Sequence, residues 1–517
     1  MSVIVAAGVL VTGCGTREDP RTRDALHAVL ASTPSFVEPG PRGASAWEQT
    51  RRFYVERSER PAWLEAGRIT PRLDELLDVL SRAREHGLDP ADYGAEELRR
   101  LREQASRRWF AGRLADMPAA TLDVRLSYAF LRVAADLAHG RVSPAEVSKQ
   151  YFGSRQREDL LGRLREAVDS RAVRQTLSIL VPTHPQYTGL QLALARYRAA
   201  APEGVEAAGP GHAWRVRQIE MNMDRWRWAP RDLGEQHIVV NVAGYDLHAI
   251  EGYRPVLAMR VVVGEPVSPT PLFSDRMTYV VFSPYWNIPE SILREETLAQ
   301  VTADPGYLSR AGIEVIRTNG EATEPVDPAT IDWSRDPVAQ GLRFRQVPGP
   351  ENALGLVKFI FPNHFSVYLH HTPDSSVFSR SRRAYSHGCV RVEDPVGLAE
   401  HVLRDQPDWT RERIVEAMLA GQERIVRLTR PIPVHLGYWT AWVQPEGTVA
   451  FTDDAYGLDR RHDQALRRAR AKASPPKPGT GRARGARTRS TRSGAAAPAR
   501  PGPAAGGSAS TAARGER

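Results

Sequence analysis

Cysteine is almost absent from this chain: Cys14 and Cys389 are the only two among 517 residues. One of them lies in an apolar N-terminal segment, so no disulfide framework is expected to hold the fold together. A free thiol is prone to oxidation, so a lone cysteine is best explained if its thiol takes part in a reaction. Cys389 is therefore the first candidate for a functional residue.

Long apolar runs are also missing. No stretch of about 18 or more apolar residues is present, so no transmembrane helix is expected. The composition, 41% hydrophobic and 25% charged residues, is that of a soluble globular protein. A mass of 57.4 kDa predicts two or three domains.

Acidic residues are nearly absent from the C-terminal segment 467–517, which holds 13 Lys or Arg residues and a single acid, Glu516. This segment accounts for the formal net charge of +9, and the rest of the chain is mildly acidic. The high overall pI therefore does not indicate a nucleic-acid-binding face, and no specific nucleic-acid partner is expected. Because the segment has few apolar residues, it is predicted to be a disordered tail.

The first fourteen residues, MSVIVAAGVLVTGC, form a short apolar run that ends in Val11-Thr12-Gly13-Cys14. Small residues before a cysteine resemble the lipobox of bacterial lipoprotein signals, although no Lys or Arg precedes the run. The pattern predicts an export signal with Cys14 as the lipidation site and membrane anchor. The expected location is the periplasm or cell envelope.

The period of the apolar residues changes along the chain. From 45 to 200 it is helical, most clearly in the run from Leu122 to Leu137 with steps of three and four. From 214 to 457 it is mostly the alternation of strands, as in HIVVNVAGYDLHAI and VLAMRVVVG. The sequence therefore predicts an α+β protein with a helical scaffold domain before a β-rich catalytic domain. The remaining predicted boundaries are linkers at 15–44 and 201–213 and an insertion at about 292–345.

A possible nucleophile and base lie close together in the sequence of the β-rich part. Cys389 follows Ser386-His387-Gly388, and His370 and His371 precede this run. A thiol with a pKa near 8.5 needs a base to react at neutral pH. Neighbouring strand residues point to opposite faces, so only one histidine of the pair is expected to reach Cys389. His370 is the preferred base, and His371 stays open.

The residues around Cys389 fit acyl transfer. Gly388 permits a sharp turn in which the amides of His387, Gly388 and Cys389 converge on an oxyanion, each contributing about 3 kcal/mol. The guanidinium of Arg391 suits a substrate carboxylate. Two alternatives are an inert buried cysteine and a zinc site. The zinc site is disfavoured because no second cysteine has metal-ligand spacing, and no metal is expected.

These motifs resemble the L,D-transpeptidases with a YkuD-type catalytic domain. Their signature is a His, 14 to 17 residues, Ser/Thr-His-Gly-Cys, a hydrophobe and Asn or Arg; His370 with fifteen intervening residues fits it. The larger scaffold-bearing YcbB-type members read Leu-His-Asp-Thr-Pro at the base, so His371 stands where Asp is usual. The likeness covers about 215 to 457, and FYVERSERPAWL and HGRVSP are similar to the scaffold domain.

The resemblance implies a peptidoglycan L,D-transpeptidase that acts on stem peptides without a cofactor. Cys389 would form a thioester with a donor stem, an amine of a second stem would resolve it as a 3→3 crosslink, and the insertion would be a lid. Hydrolysis of the same thioester, another acyl transfer, and a non-catalytic envelope or wall-binding protein stay as alternatives. The expected substrate-binding residues are Arg391, Ser386, Tyr385, His371 and Trp286.

Overall fold

The structure is a computed structural model that describes residues 20–65, 68–109, 116–151, 158–201, 204, 206–304, 306–319 and 322–473. Cys14, the predicted signal segment 1–14 and the tail beyond residue 473 lie outside the described residues. The predicted disordered tail begins too early, because residues 467–473 are the last turns of a helix that spans Leu458–Ala473. Among the helices within these ranges, none combines the length and the apolar character needed to cross a bilayer.

The N-terminal part is helical. Helix α5 crosses its core, and the predicted stripe of Leu122, Leu126, Phe130, Val133 and Leu137 is buried as expected. The elements are α1 Pro20–Leu30, α2 Pro41–Glu56, β1 Leu64–Glu65, β2 Arg68–Ile69, α3 Pro71–Arg82, α4 Ala95–Trp109, α5 Asp116–His139, α6 Pro144–Val147, α7 Leu160–Ser170, α8 Val173–Ser178, α9 Pro185–Ala199 and α10 Pro210–Trp228.

The predicted linker at 15–44 is wrong over most of its described length. Residues 20–30 form helix α1, which buries Ala25, Leu26, Val29 and Leu30 in the same core as α5. Their spacing of one, three and one is a helical stripe that the surrounding Pro, Thr and Arg residues obscured. The second predicted linker is also shorter than expected, because α10 already begins at Pro210.

A buried carboxylate holds the start of the helical part together. Asp123, on α5, accepts hydrogen bonds from the backbone N–H groups of Ala62, Trp63 and Leu64 at 2.8 to 3.0 Å. It also accepts from the hydroxyl of Tyr54 at 2.6 Å. Since backbone N–H groups that are buried need partners, this one side chain allows the loop after α2 to pack against α5.

The β-domain follows α10 and contains a separate small subdomain. Its first strands are β3 Gln236–Asn241, β4 Asp246–Glu251, β5 Arg254–Gly264 and β6 Ser274–Phe282. The small subdomain, which we call the cap (286–346), comprises β7 Trp286–Asn287, α11 Glu290–Ile292, a π-helical turn Leu293–Thr297, α12 Leu298–Ala303, α13 Tyr307–Arg310, β8 Ile313–Asn319, β9 Ala322–Val326 and β10 Leu342–Gln346.

The chain then returns to the main sheet. The remaining elements are β11 Val357–Ile360, β12 Leu369–His370, β13 Ala384–Ser386, β14 Val390–Val392, α14 Pro395–Leu403, α15 Arg411–Leu419, β15 Arg424–Gly437, β16 Ala441–Val443, β17 Val449–Phe451 and α16 Leu458–Ala473. The order of the main sheet is β13-β5-β14-β12-β11-β6-β15-β3-β4, and β4 also pairs with β5. Eight strands thus form a closed ring.

The two faces of this sheet differ. Val357, Phe359, Leu369, Val390 and Val392 alternate onto one face and belong to a single apolar core with α14 and α15. The intervening residues, which lie on the opposite face, include Lys358, His370 and Arg391, which are directly paired across β11, β12 and β14. The fold therefore collects its polar side chains on the face opposite the core.

The cap is attached to the sheet by two neighbouring connections. It has its own four-stranded sheet, β7-β10-β8-β9, and its own apolar cluster. The side-chain amide of the buried Asn352 donates to the carbonyls of Pro284, Gln346 and Val347 at 2.8 to 3.3 Å. This residue joins the segment that enters the cap to the segment that leaves it.

Candidate active site

Strands β12 and β14 bring the candidate nucleophile and base together. They are parallel, with Leu369 opposite Val390 and His370 opposite Arg391. Cys389 precedes β14 and lies beside Tyr368, and the N–H of Val390 donates to the Tyr368 carbonyl at 3.1 Å. His370 and Cys389 are therefore diagonal neighbours on one face of the sheet, a distance that side chains can bridge.

The imidazole of His370 is oriented by a backbone carbonyl. Its Nδ1 donates to the carbonyl oxygen of His371 at 2.6 Å, which requires the proton on Nδ1 and leaves Nε2 as an acceptor. The side chain is buried. Burial, with a smaller contribution from the charge of Arg391, lowers the pKa of His370 to about 3. At neutral pH His370 is a neutral acceptor of protons.

The Cys389 thiol is held in its neutral form. Cys389 is partly exposed. Burial of the group raises the pKa of Cys389 to about 11, and hydrogen bonding by Tyr368 and the charge of Arg391 only partly oppose this. Sγ donates to the carbonyl of Ser366 at 3.8 Å, and among the described residues no imidazole is hydrogen-bonded to it. The predicted nucleophile and the predicted base are therefore both neutral in the described structure.

His371 faces away from Cys389. Its Nδ1 accepts a hydrogen bond from the N–H of Leu356 at 3.1 Å, on the other side of β12. Gly355 has a φ of +62°, and a Cβ there would lie only 2.4 Å from this ring nitrogen. The ring is thus a structural support for the turn before β11, and the expectation that His371 binds substrate is not supported by its position.

The turn before Cys389 is built by hydroxyl groups. Ser386 is buried, donates to the carbonyl of Cys389 at 2.5 Å and accepts from the N–H of Gly388 at 3.2 Å. Thr270 donates to the carbonyl of Gly388 at 2.8 Å. Gly388 has a φ of +114°, which favours glycine at this position.

These bonds correct two sequence expectations. The hydroxyl of Ser386 is used inside the turn and does not face a substrate. The amide of Gly388 is also occupied, so it cannot act in an oxyanion site without leaving Ser386. The N–H groups of His387 and Cys389 make no hydrogen bond to another described residue, and they remain as the donors of the predicted set.

Arg391 is a cation without an ion pair among the described residues. It is half-buried, its Nε has no hydrogen-bond partner in the described structure, and burial lowers its pKa. Its neighbours on the sheet are His370 and Val262. The carboxylate of Asp374 acts on it only as a nearby charge and forms no ion pair with it. A desolvated guanidinium without an ion pair is costly unless an anion binds to it, so this position fits the expected carboxylate site.

The two predicted aromatic residues have structural contacts. The hydroxyl of Tyr385 donates to the carbonyl of Val377 at 2.8 Å, and its ring packs with Val262 and Phe378. Trp286 begins the cap, where it pairs with Gln346 and packs on the apolar cluster of the cap. The contacts described for these rings are with the protein, so neither is assigned to substrate.

His387 makes a contact that the sequence did not predict. Its Nε2 lies 2.8 Å from Oε1 of Glu296, in the π-helical turn of the cap. Both side chains are partly exposed, at 42% and 55%. The cap therefore touches the loop that carries Cys389.

Sequence reasoning missed two further residues of the site. Tyr368 hydrogen-bonds to Cys389, and its position two residues before His370 on the same strand was a usable signal, because residues i and i+2 share a face. Thr270 lies 119 positions before Cys389 in the chain, and only the fold could place it.

Metal binding was the alternative use for these histidines. Within the described ranges, no group of three or more His, Cys, Asp or Glu side chains is arranged to hold a metal ion. His370 shares a face with Cys389 whereas His371 accepts a hydrogen bond from Leu356, so the three histidines and Cys389 do not form a ligand set.

Comparison with known proteins agrees with this geometry. Residues 235–419 match the family model described as the L,D-transpeptidase catalytic domain, YkuD, and residues 48–194 match the Scaffold domain. The two matched ranges follow one another in the order that the resemblance to the scaffold-bearing members predicts.

A Haemophilus influenzae protein named "Putative L,D-transpeptidase" is 34% identical over 246 residues, which are 48% of this chain and 49% of the relative. The chain thus spans about half the length of this curated relative. Two solved structures align weakly with the chain. The L,D-transpeptidase from Mycobacterium smegmatis shows 14% identity and a TM-score of 0.20 over 39% of this chain and 58% of its own. The Ldtfm–avibactam carbamoyl enzyme shows 13% and 0.15 over 39% and 49%.

Proposed function

We propose that this protein is a peptidoglycan L,D-transpeptidase that forms 3→3 crosslinks through a thioester on Cys389. The observation that carries the proposal is the pairing of β12 with β14, which puts Cys389 and the neutral imidazole of His370 on one face of the sheet. The match of residues 235–419 to the catalytic-domain family supports the same reaction class.

The first step is acylation. The thiol of Cys389 rotates away from Ser366, gives its proton to Nε2 of His370 and attacks the carbonyl of the L-centre of diaminopimelate in a donor tetrapeptide stem. His370 then protonates the amine of the departing D-alanine as the C–N bond breaks, which leaves a thioester. Because thiol and imidazole are both neutral at rest, the proton moves only when the nucleophile attacks.

The negative oxygen of the intermediate needs donors. The N–H groups of His387 and Cys389 and the hydroxyl of Tyr368, which lies beside the sulfur, are the candidates. Each well-aimed donor is worth about 3 kcal/mol. Arg391 binds a carboxylate of the donor stem, since it lies next to the reacting atoms and has no ion pair with any residue that the structure describes.

The second step consumes the thioester. An amine of a second stem attacks the acyl carbon, His370 accepts the amine proton, and the C–S bond breaks to regenerate the thiol. Water competes for the same acyl group and would give a tripeptide and the free thiol. Hydrolysis is therefore the second candidate activity, favoured wherever water enters the cleft. A substrate of this kind also fits the predicted envelope location.

The decisive experiment is intact-mass analysis of the protein after incubation with a disaccharide-tetrapeptide, with Cys389→Ala beside the wild type. The expected result is an acyl adduct formed with loss of D-alanine in the wild type and none in the variant. Muropeptide analysis of treated sacculi then distinguishes the two outcomes: dimers support crosslinking, and tripeptides alone support hydrolysis. No adduct in the wild type would reject the acyl-enzyme.

A further inference from the structure

The contact between the cap and the catalytic loop joins two parts of the chain that are far apart in sequence. Glu296 lies within the cap, and His387 lies two residues before Cys389. Oε1 of Glu296 and Nε2 of His387 are 2.8 Å apart. An imidazole Nε2–H can donate to a carboxylate whether the ring is neutral or charged, so the contact does not depend on the protonation of His387.

The local structure around Glu296 is unusual. It lies in a π-helical turn, Leu293–Thr297, between two short α-helices. Such turns are rare and occur often at functional sites. Leu293 and Thr297 are buried while Glu295 and Glu296 are exposed, so the turn is anchored in the cap and presents carboxylates outward.

The other end of the cap is suited to act as a hinge. Asn352 joins its two connections. The N–H of Tyr285 donates to Glu423 at 2.9 Å, and the carbonyl of Tyr285 accepts from Lys358 at 3.4 Å. These contacts fix the cap at its base, so a rigid movement about this base would break the contact at Glu296 without unfolding the cap.

We propose that Glu296 is a positioning residue that latches the cap onto the catalytic loop through His387 and so limits access of solvent and reagents to Cys389. An exposed ion pair of this kind is weak, which is what a latch requires if substrates are to enter and leave. Closure through His387 also couples the position of the cap to the loop that carries the nucleophile. The effect on crosslinking rests on the proposed function, whereas the effect on access to Cys389 does not.

The access test uses a Cys14→Ser background, so that Cys389 is the sole thiol. Alkylation by iodoacetamide is followed by intact mass at pH 9. Glu296→Ala is expected to react about threefold faster than the background protein, as suits the loss of a weak surface contact. Glu295→Ala, which removes the neighbouring exposed carboxylate of the same turn, is the matched control and is expected to leave the rate unchanged. Glu296→Gln, which keeps an acceptor oxygen, is expected to lie between them.

A double substitution tests whether Glu296 acts through His387. In a His387→Ala protein, the further substitution of Glu296 is expected to leave the alkylation rate unchanged, because the latch is already absent. Equal rates for Glu296→Ala and the background protein, or the same increase with and without His387, would overturn the latch.

The catalytic test measures how the acyl-enzyme divides between water and an acceptor amine. With Glu296→Ala, the ratio of tripeptide to dimer is expected to rise about threefold, because the cleft is open for longer. If the wild-type protein forms no acyl adduct, the proposed function fails while the alkylation result still decides the latch. If the adduct forms and neither ratio nor alkylation changes, the latch fails while the proposed function stands.

Discussion

Two groups of buried polar side chains in this protein differ in how their charges are compensated. At the junction of α10 and α16, Arg225 pairs with Asp459 at 2.6 Å, and both side chains are almost completely buried. In the active site, Arg391 has no ion pair with a described residue and adjoins a neutral thiol and a neutral imidazole. The paired charges at the junction stabilise the fold, whereas the charge of Arg391 in the active site is available to bind a ligand.

The carboxylate of Asp224 shows how completely a buried negative charge at the junction can be satisfied. Asp224, on α10, accepts from the N–H of Arg141, from the guanidinium of Arg227 and from the ring of His462 at 2.9 to 3.0 Å. These partners come from the helical part, from α10 itself and from α16. The same carboxylate therefore joins three parts of the chain.

The largest expected effect is on the rate of acylation, which should depend strongly on His370 and only weakly on His371. His370→Asn should reduce the rate of acylation by about 10² to 10⁴, the usual contribution of a general base. His371→Asn should change it by less than about tenfold, since that ring supports the turn at Gly355 from the other side of β12. Rates of adduct formation with a β-lactam, measured by intact mass, test both.

The control is the folded state of each variant. A melting temperature close to that of the wild type is expected for His370→Asn, so that its loss of rate reports chemistry. Equal loss of rate in the two variants would contradict the assignment of His370 as the base.

The next largest effect is expected on stability, from a substitution at the junction of α10 and α16. Asp459→Asn leaves the charge of Arg225 buried without its partner, which should lower the free energy of unfolding by about 3 to 5 kcal/mol. Arg391→Met, by contrast, should change it by less than about 1 kcal/mol, because no ion pair is lost. Urea denaturation of the three proteins measures the difference, and a large loss of stability for Arg391→Met would show that its charge has a structural role.

The sequence predicted these regions unequally, for physical reasons. The spacing of the apolar residues is enough to predict α5 and the alternating strands, because burial of one side of an element imposes that spacing. The sequence alone does not choose between His370 and His371, since their spacings to Cys389 both fit; the register of β12 with β14 shows only that His370 shares the face of Cys389. Tyr368 could also have been predicted from the sequence, because residues two apart along an extended segment share a face.

Other features depend on contacts distant in the chain. Thr270 reaches the Gly388 carbonyl only because β5 lies beside β13 and β14. The neutral thiol follows from burial, which the motif does not show. The occupied amide of Gly388 is instead a local contact with Ser386, two residues earlier. Helix α1 was missed because its apolar stripe is short and lies among residues typical of linkers.

Arg391 should affect binding more than stability. Loss of a charge-assisted hydrogen bond costs about 1.5 to 3 kcal/mol, so Arg391→Met should raise KM for a tetrapeptide donor roughly 10- to 100-fold. The substrate provides the matched control: amidation of the recognised carboxylate should weaken wild-type binding by a similar factor and leave Arg391→Met almost unaffected. If amidation of each stem carboxylate in turn affects both proteins equally, the carboxylate does not bind at Arg391.

The smallest expected effect is that of pH on acylation. Buried His370, with its pKa lowered to about 3, stays a neutral base above that pH, and Cys389, with its pKa raised to about 11, stays a thiol below that pH. Both groups therefore keep the required protonation from pH 6 to 9, and acylation by a β-lactam should vary by less than about threefold. Iodoacetamide needs the thiolate, so alkylation of the same sulfur should rise about tenfold per pH unit over this range without a plateau. A plateau in alkylation near pH 7, or acylation that rises in parallel with alkylation, would instead indicate a preformed thiolate. The active site would then contain a compensated charge, as the junction does.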